Sequence, residues 1–130
     1  MEKIVVQSSK APAPIGPYSQ AIKTGNFLFA SGQIALDPLT GALVVGTIET
    51  ETLQVMKNIE AVLEEAGMSF ENVVKTTIFL MDMNDFAKVN AVYGSYFKSN
   101  FPARETVQVA GLPKGVNVEI SVIAVDVEKG

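Results

Sequence analysis

Two charged residues in the last third of this sequence have the chemistry of a small-molecule site. Arg104 lies in the segment 101–107 and Glu119 in the segment 112–120, with a Gly/Pro loop between them. A guanidinium can hold a carboxylate through two parallel hydrogen bonds, so Arg104 is suited to fixing the acid end of a small substrate. Glu119 could direct or activate a water molecule at a neighbouring carbon. On the bare pair alone, a structural ion pair is the favoured interpretation.

The segments that carry these charges have the pattern of β-strands. Their residues alternate in character, and the loop from Gly111 to Gly115 is typical of a hairpin-type connection. Arg104 and Glu119 lie at nearly equal distances from the centre of that loop, so the pattern predicts a hairpin in which they are neighbours. A slip of one residue in the register would move either side chain to the other face of the sheet.

The remaining chain predicts a single domain over 1–130 with an α+β fold, a mostly antiparallel sheet with two helices on one face. A proline-rich arm at 8–17 separates the first strand from the others. Apolar residues recur at helical spacing from about 48 to 66 and again after Asp82 or Asn84, either of which can cap the second helix. The predicted strands are 3–6, 18–23, 26–31, 73–81 and 116–127.

Three features of these strands bear on function. Gly32 interrupts a strand, which indicates a bulge or a close approach of the backbone to another group, a ligand being one candidate. The segment 73–81 is β-branched and aromatic, which predicts burial on both sides for part of its length. The last strand is apolar on both sides near its end, so the uncovered face of the sheet predicts self-association.

Composition excludes several classes of protein. The 130 residues contain no cysteine and no histidine, which rules out disulfides, thiolate nucleophiles and Ser-His-Asp catalysis. The net charge of −4 lacks the basic excess of a general nucleic-acid binder, so we expect no nucleic-acid partner. No apolar run reaches the ~20 residues of a membrane span, and the first residues do not resemble a signal peptide. We expect a soluble cytoplasmic protein without a membrane partner.

Five segments together resemble the RidA family (reactive intermediate deaminase A, also called YjgF-like). They match its motifs in order over almost the whole chain, and the length is comparable. The matching residues are 16–21 (GPYSQA), 30–34 (ASGQI), 62–67 (VLEEAG), 102–104 (PAR) with Val107, and 112–113 (LP) with 118–120 (VEI).

The resemblance implies a chorismate-mutase-like fold and a homotrimer with sites in the clefts between subunits. The implied activity is that of a 2-iminobutanoate/2-iminopropanoate deaminase, which hydrolyses enamine/imine intermediates such as 2-aminoacrylate to 2-oxo acids and ammonia. It implies no metal and no organic cofactor. Arg104 would bind the substrate carboxylate and Glu119 would position the attacking water. The cleft would be lined by Tyr18, Ser31, Gly32, Asn90 and Thr106, with Gly32 and Thr106 acting partly through backbone groups.

Two residues depart from the family pattern. Thr106 stands where many members have cysteine, so thiol modification cannot regulate this protein. Glu105 follows the arginine where small residues are common. Strand alternation should aim Glu105 away from Arg104, whereas a bulge would let it compete for the guanidinium.

Other functions remain open at this point. A regulatory module that binds small 2-oxo or amino acids without turnover would need the same arginine. The family resemblance also brings translation inhibition through RNA cleavage, which the acidic charge and the missing histidines disfavour. A holdase-like chaperone role rests only on the apolar content of 48%.

Overall fold

The computed structural model describes residues 2–127, which form one six-stranded sheet and two α-helices. The predicted α+β fold is therefore confirmed. Short 3-10 turns lie at 70–72, 83–85 and 113–115. In chain order the elements are β1 (Ile4–Val6), β2 (Ala21–Thr24), β3 (Phe27–Ala30), α1 (Ile48–Glu65), β4 (Val73–Leu80), α2 (Phe86–Gly94), β5 (Ala103–Gln108) and β6 (Val118–Val125).

Both helices lie near their predicted positions. Thr47 caps α1, accepting a hydrogen bond from the Thr50 N–H at 3.1 Å, and Gly67 follows the helix with a positive φ of 74°. Such a conformation favours glycine, which is why the helix stops there. Asp82 caps the 3-10 turn that leads into α2, so the predicted cap acts one turn earlier than the helix proper.

The sheet has the strand order β1-β2-β3-β6-β4-β5, and all its pairs are antiparallel except β4 with β5. This order contradicts the predicted hairpin, because β4 lies between β5 and β6. The helix α2 connects β4 to β5 as a crossover, which is the connection that parallel neighbours require. The loop from 109 to 117 then carries the chain past β4 rather than turning it back.

One face of the sheet packs on the helices and the other is open. Along β6, Val118, Ile120 and Val122 are buried on the helix side, whereas Ile123 on the open side is only half-buried. The open side also carries Phe29, which is 46% exposed. The prediction that the strand over 73–81 is buried on both sides is wrong for the single chain, since β4 buries only its helix-facing side.

Neither α1 nor α2, the helices in residues 2–127, is long and apolar enough to cross a membrane.

Candidate active site

The predicted site residues fall into two clusters. We call Tyr18, Ser31, Gly32 and Glu119 the glutamate cluster, because all four line one cavity of about 420 Å³. The arginine cluster consists of Arg104 with Phe86, Asn90 and Tyr93, the side chains that it contacts on α2. Each cluster is built by different elements of the fold.

Gly32 makes room for the carboxylate of the glutamate cluster. β3 ends at Ala30, and the chain rejoins β6 through two hydrogen bonds between the backbones of Gln33 and Ile120. A Cβ built on Gly32 would lie 2.8 Å from the carboxyl carbon of Glu119. No real Cβ contact is that short, so a larger residue would displace the carboxylate. The interrupted strand and the close approach predicted at Gly32 are thus confirmed, and the approaching group is Glu119.

Glu119 is held in surroundings that disfavour its charge. Partial burial desolvates the carboxylate and raises its pKa above the ordinary value for glutamate. Within residues 2–127 its carboxylate forms no salt bridge with any lysine or arginine. A desolvated carboxylate with a raised pKa is a stronger base than an exposed one, which suits proton exchange with water.

Buried Gln20 shapes one wall of the cavity. Its Nε2 donates to the carbonyl oxygens of Ser8, Ala11 and Pro12 at 3.1, 3.3 and 2.8 Å, and its Oε1 accepts from the Ser8 N–H at 2.6 Å. Proline has no backbone N–H, so the arm cannot form the regular hydrogen bonds of a sheet. The Gln20 carboxamide supplies hydrogen bonds to the arm instead. Gln20 therefore fixes the proline-rich arm that covers the glutamate cluster.

The other polar members of this cluster contact the same arm or its connection to β2. Ser31 Oγ donates to the Ser19 carbonyl oxygen at 2.6 Å, and Tyr18, which is half exposed, accepts from the Ile15 N–H at 3.3 Å. Both hydroxyls thus have partners, and the Tyr18 ring lies at the cavity mouth.

Two further buried polar side chains, both on α1, hold backbone that lines the cavity or leads to Glu119. Asn58 donates from Nδ2 to the carbonyl oxygens of Ile34 and Leu36, each at 3.0 Å. Glu51 accepts from the Asn117 and Val118 N–H groups at 2.8 and 3.2 Å, just before Glu119. Sequence analysis missed Gln20, Asn58 and Glu51 because their partners are distant in sequence. The sequence does contain one signal for such residues, namely a polar residue inside an otherwise apolar pattern.

The arginine cluster presents a guanidinium on the helix side of the sheet. Arg104 Nη1 donates to Asn90 Oδ1 at 2.6 Å, and its carbon Cζ lies 5.4 and 5.2 Å from the ring centres of Phe86 and Tyr93. Cation–π contacts of this kind orient a guanidinium while leaving donors free. Arg104 remains exposed, so its other N–H groups are available to a ligand.

Tyr93 and Thr106 complete the surroundings of Arg104. Burial raises the pKa of the Tyr93 hydroxyl, against the opposing effects of its hydrogen bond with Thr76 (2.8 Å) and of the Arg104 charge. Thr106 lies two residues along β5, so alternation places it on the Arg104 side. Within residues 2–127, Thr106 Oγ1 is inaccessible to solvent and has no hydrogen-bond partner.

Glu105 points away from Arg104, as strand alternation predicts. It forms a salt bridge with Lys75 on the open face of the sheet. The hydrogen bond and charge of Lys75 lower the pKa of the Glu105 carboxyl. Glu105 therefore does not compete for the guanidinium.

Arg104 and Glu119 do not meet within one chain. Arg104 is in register with Thr76 on β4, and Glu119 is in register with Phe79. Positions 76 and 79 are an odd number of residues apart, so their side chains project from opposite faces of the sheet. The chain thus places the Arg104 guanidinium on one face of the sheet and the Glu119 carboxylate, in its cavity, on the other.

The structure is that of a small α+β protein with two clusters of candidate site residues, and comparisons with known proteins give its family. The family model described as Endoribonuclease L-PSP matches residues 8–126. A RutC family protein of Pyrococcus abyssi is 56% identical over 95% of this chain and 98% of its own. The human 2-iminobutanoate/2-iminopropanoate deaminase is 51% identical, covering 93% of this chain and 88% of the human protein.

A solved structure agrees with these relatives. A member of the conserved Rid protein family from Yersinia pestis superimposes with a TM-score of 0.94 at 52% identity, covering 96% of this chain and all of the other. The chain therefore belongs to the RidA (YjgF-like) family, as the sequence motifs predict.

Proposed function

We propose that the protein is a 2-iminobutanoate/2-iminopropanoate deaminase that hydrolyses imines such as those derived from 2-aminoacrylate to 2-oxo acids and ammonia. The observation that carries this proposal is the desolvated carboxylate of Glu119, held against Gly32 in an apolar cavity. The name of the human relative supports the same activity. Arg104, with its exposed guanidinium, supplies the complementary group for a substrate carboxylate.

The reaction needs little beyond orientation and one base. Arg104 binds the carboxylate of the imino acid, which fixes the imine carbon relative to Glu119. Glu119 accepts a proton from a water molecule as the water oxygen bonds to that carbon, and the C=N electrons of the protonated imine move to nitrogen, giving a tetrahedral carbinolamine. Glu119 then returns the proton to the amino nitrogen. The C–N bond breaks as the carbinol hydroxyl forms the C=O bond and gives its own proton to Glu119, which leaves ammonia and a 2-oxo acid. An imine carbon is already electrophilic, so the proposed mechanism uses no cofactor and no metal.

We propose that two copies of the chain complete each site within a homotrimer. Arg104 and Glu119 project from opposite faces of one sheet, so a single copy cannot apply both to one small molecule. The open face carries exposed aromatic rings at Phe27 and Phe29, stacked 6.1 Å apart, and exposed apolar area of this kind is typical of an interface. Arg104 of one copy would face the glutamate cluster of its neighbour, with Tyr18, Ser31, Asn90 and Thr106 lining the cleft.

The experiment is a measurement of 2-oxo acid and ammonia release from imines that an amino-acid oxidase generates in situ. We expect Arg104→Ala to lower the rate to that of buffer alone and Glu119→Ala to lower it strongly. Both variants should keep the wild-type mass in solution. A wild-type protein no faster than buffer would overturn the deaminase and favour the binding module without turnover.

Mixing the two inactive variants tests whether sites are shared. A site with both native side chains forms only where an Arg104→Ala copy meets a Glu119→Ala copy in the right order. An equal mixture that has been dissociated and reassembled should therefore recover about a quarter of wild-type activity. Each variant reassembled with itself is the control. No recovery in the mixture would overturn the shared site.

RNA cleavage is the second candidate, because the description of the matching family model names an endoribonuclease. Incubation of the protein with single-stranded RNA at low and high salt tests it, and the acidic net charge of −4 predicts no cleavage. The absence of nucleic-acid and membrane partners stays a prediction. So does the cytoplasmic location, which cell fractionation would check.

A further inference from the structure

Glu51 is a buried carboxylate that the proposed reaction does not use. It is 7% exposed, and within residues 2–127 it forms no salt bridge with any lysine or arginine. Its oxygens accept from the Asn117 N–H at 2.8 Å, from Asn117 Nδ2 at 2.9 Å and from the Val118 N–H at 3.2 Å. Burying a charge is costly unless it is hydrogen-bonded. All three donors belong to the two residues that precede Glu119.

These donors lie where β6 lacks a partner strand. The pairing of β6 with the segment after β3 stops at the bridge between Gln33 and Ile120. The Val118 N–H lies two residues earlier and faces the same edge of the strand, beyond the last ladder bond. A carboxylate binds a backbone N–H more strongly than a neutral carbonyl does. Glu51 therefore replaces the missing ladder bond at the start of β6.

Glu119 lies between two such attachments. On its C-terminal side, the Gln33 N–H donates to the Ile120 carbonyl oxygen at 2.8 Å, and the Ile120 N–H donates to the Gln33 carbonyl oxygen at 3.1 Å. This bridge holds β6 beside Gly32, the neighbour of Gln33. On the N-terminal side of Glu119, the carboxylate of Glu51 holds the backbone. Releasing that side would let the strand rotate about the bridge and carry the carboxylate away from the glycine.

The same helix also holds the segment that carries Gly32. Asn58 Nδ2 donates to the carbonyl oxygens of Ile34 and Leu36, each at 3.0 Å. Glu51 and Asn58 are seven residues apart on α1, so they lie on one face of the helix. One side chain donates to carbonyl groups and the other accepts from N–H groups. The helix α1 thus holds the chain on both sides of the contact between the glycine and the catalytic carboxylate.

We propose that Glu51 is a positioning residue for the reaction, which acts through the backbone at 117–118 to keep the Glu119 carboxylate against Gly32. The inference rests on the proposed deaminase activity. Glu51 does not line the cavity, so it touches no substrate. Its loss should therefore lower kcat, whereas KM should change little because Arg104 binds the substrate carboxylate.

Two variants of Glu51 separate its hydrogen bonds from its charge. Glu51→Met has a similar length and no strong acceptor. Glu51→Gln keeps one oxygen for both backbone N–H groups, and the Asn117 carboxamide can rotate to pair with the new NH₂ group. We expect Glu51→Met to lower kcat about a hundredfold with KM within threefold, and Glu51→Gln to keep kcat within about threefold. Full kcat in Glu51→Met, or an equal loss in Glu51→Gln, would overturn the positioning role.

Thr52→Ala is the control for a general disturbance of α1. Thr52 is fully buried, and its hydroxyl bonds to the Ile48 carbonyl oxygen of the same helix at 2.8 Å. This variant should lose stability and keep kcat. Glu51→Asp provides the answer if Glu51→Met does not fold, because it keeps the charge and withdraws the oxygens by one methylene. It should lower kcat about tenfold, and full kcat in it would equally overturn the role.

A titration of the Glu119 carboxyl by ¹³C NMR tests the position without any turnover, with the signal assigned by its loss in Glu119→Gln. Burial beside Gly32 raises the pKa of Glu119, so a carboxyl that has left this position should have a lower pKa. We expect this fall in Glu51→Met and none in Glu51→Gln. An unchanged pKa in Glu51→Met would overturn the positioning role, whereas a wild-type protein that hydrolyses no imine would refute the deaminase alone.

Discussion

Gly32 and Glu119 are in such close contact that the backbone of one determines where the carboxylate of the other lies. The distance of 2.8 Å from a Cβ at position 32 to the Glu119 carboxyl carbon leaves no space for a side chain. The atoms that would have to move belong to the end of a flexible side chain and not to the backbone. The contact therefore matters for the position of an acid more than for the stability of the fold.

Gly32→Ala tests this relation. We expect the free energy of unfolding to change by less than about 1 kcal/mol, because only the Glu119 side chain must shift. A displacement of about 1 Å should nevertheless lower kcat roughly a hundredfold. Gly94→Ala is the matched control, since a Cβ there meets no atom within 4 Å. Activity retained in Gly32→Ala would mean that the carboxylate position is not critical.

Glu119→Gln tests the desolvated carboxylate through the pH dependence of stability. The folded state raises the pKa of Glu119, so below the unfolded value of about 4.5 the carboxyl is protonated in both states and costs nothing. As pH rises past that value, the carboxyl of the unfolded chain loses its proton first. Ionising the desolvated carboxyl of the folded state is less favourable, so the free energy of unfolding falls. The variant should therefore gain stability relative to the wild type between pH 4 and pH 7.

Urea denaturation at both pH values and one protein concentration measures this difference. Glu64→Gln, at an exposed position on α1, removes the same charge and is the control. The opposite sign, with the wild type gaining stability towards pH 7, would indicate that a cation from another copy pairs with Glu119. The sign thus separates an acid that acts on water from an interfacial ion pair.

Gln20→Leu tests how the proline-rich arm is held. The variant removes four hydrogen bonds of a buried carboxamide and leaves the Pro12 carbonyl oxygen without this donor. We expect a loss of about 2–4 kcal/mol in the free energy of unfolding and faster proteolysis within 8–17. KM should rise more than kcat falls, because the arm shapes the cavity but carries no reacting group. Gln7→Leu, at an exposed position with no side-chain hydrogen bond in residues 2–127, is the control.

The sequence predicts candidate site residues, but their arrangement could not be predicted from it. Motif and charge select Arg104 and Glu119, whose roles stay predictions, and strand alternation correctly aimed Glu105 away from the guanidinium. The hairpin failed because local turn signals cannot show that another strand competes for the same edge. β4, with its β-branched residues, pairs with both β5 and β6 and separates them. The roles of Gln20 and Asn58 depend on partners up to 24 residues away, which no local pattern reveals.

Thr106→Val tests the hydroxyl that has no partner. Valine has nearly the shape of threonine, and removing an unpaired buried hydroxyl should leave the free energy of unfolding unchanged or raise it by about 1 kcal/mol. Thr76→Val on the neighbouring strand is the matched comparison. Its buried hydroxyl bonds to the Tyr93 hydroxyl at 2.8 Å, so its loss should cost about 1–2 kcal/mol.

The kinetics of the Thr106 variant then show how this position acts. If Thr106 contributes through its backbone, Thr106→Val keeps kcat and KM within about twofold, since a valine in β5 preserves the strand. If its hydroxyl binds substrate, KM rises about fivefold or more, which corresponds to the free energy of one hydrogen bond between uncharged groups. Thermal unfolding and imine kinetics on the same two variants distinguish these cases. A loss of stability in Thr106→Val as large as that in Thr76→Val would show that the hydroxyl is paired in the assembled protein.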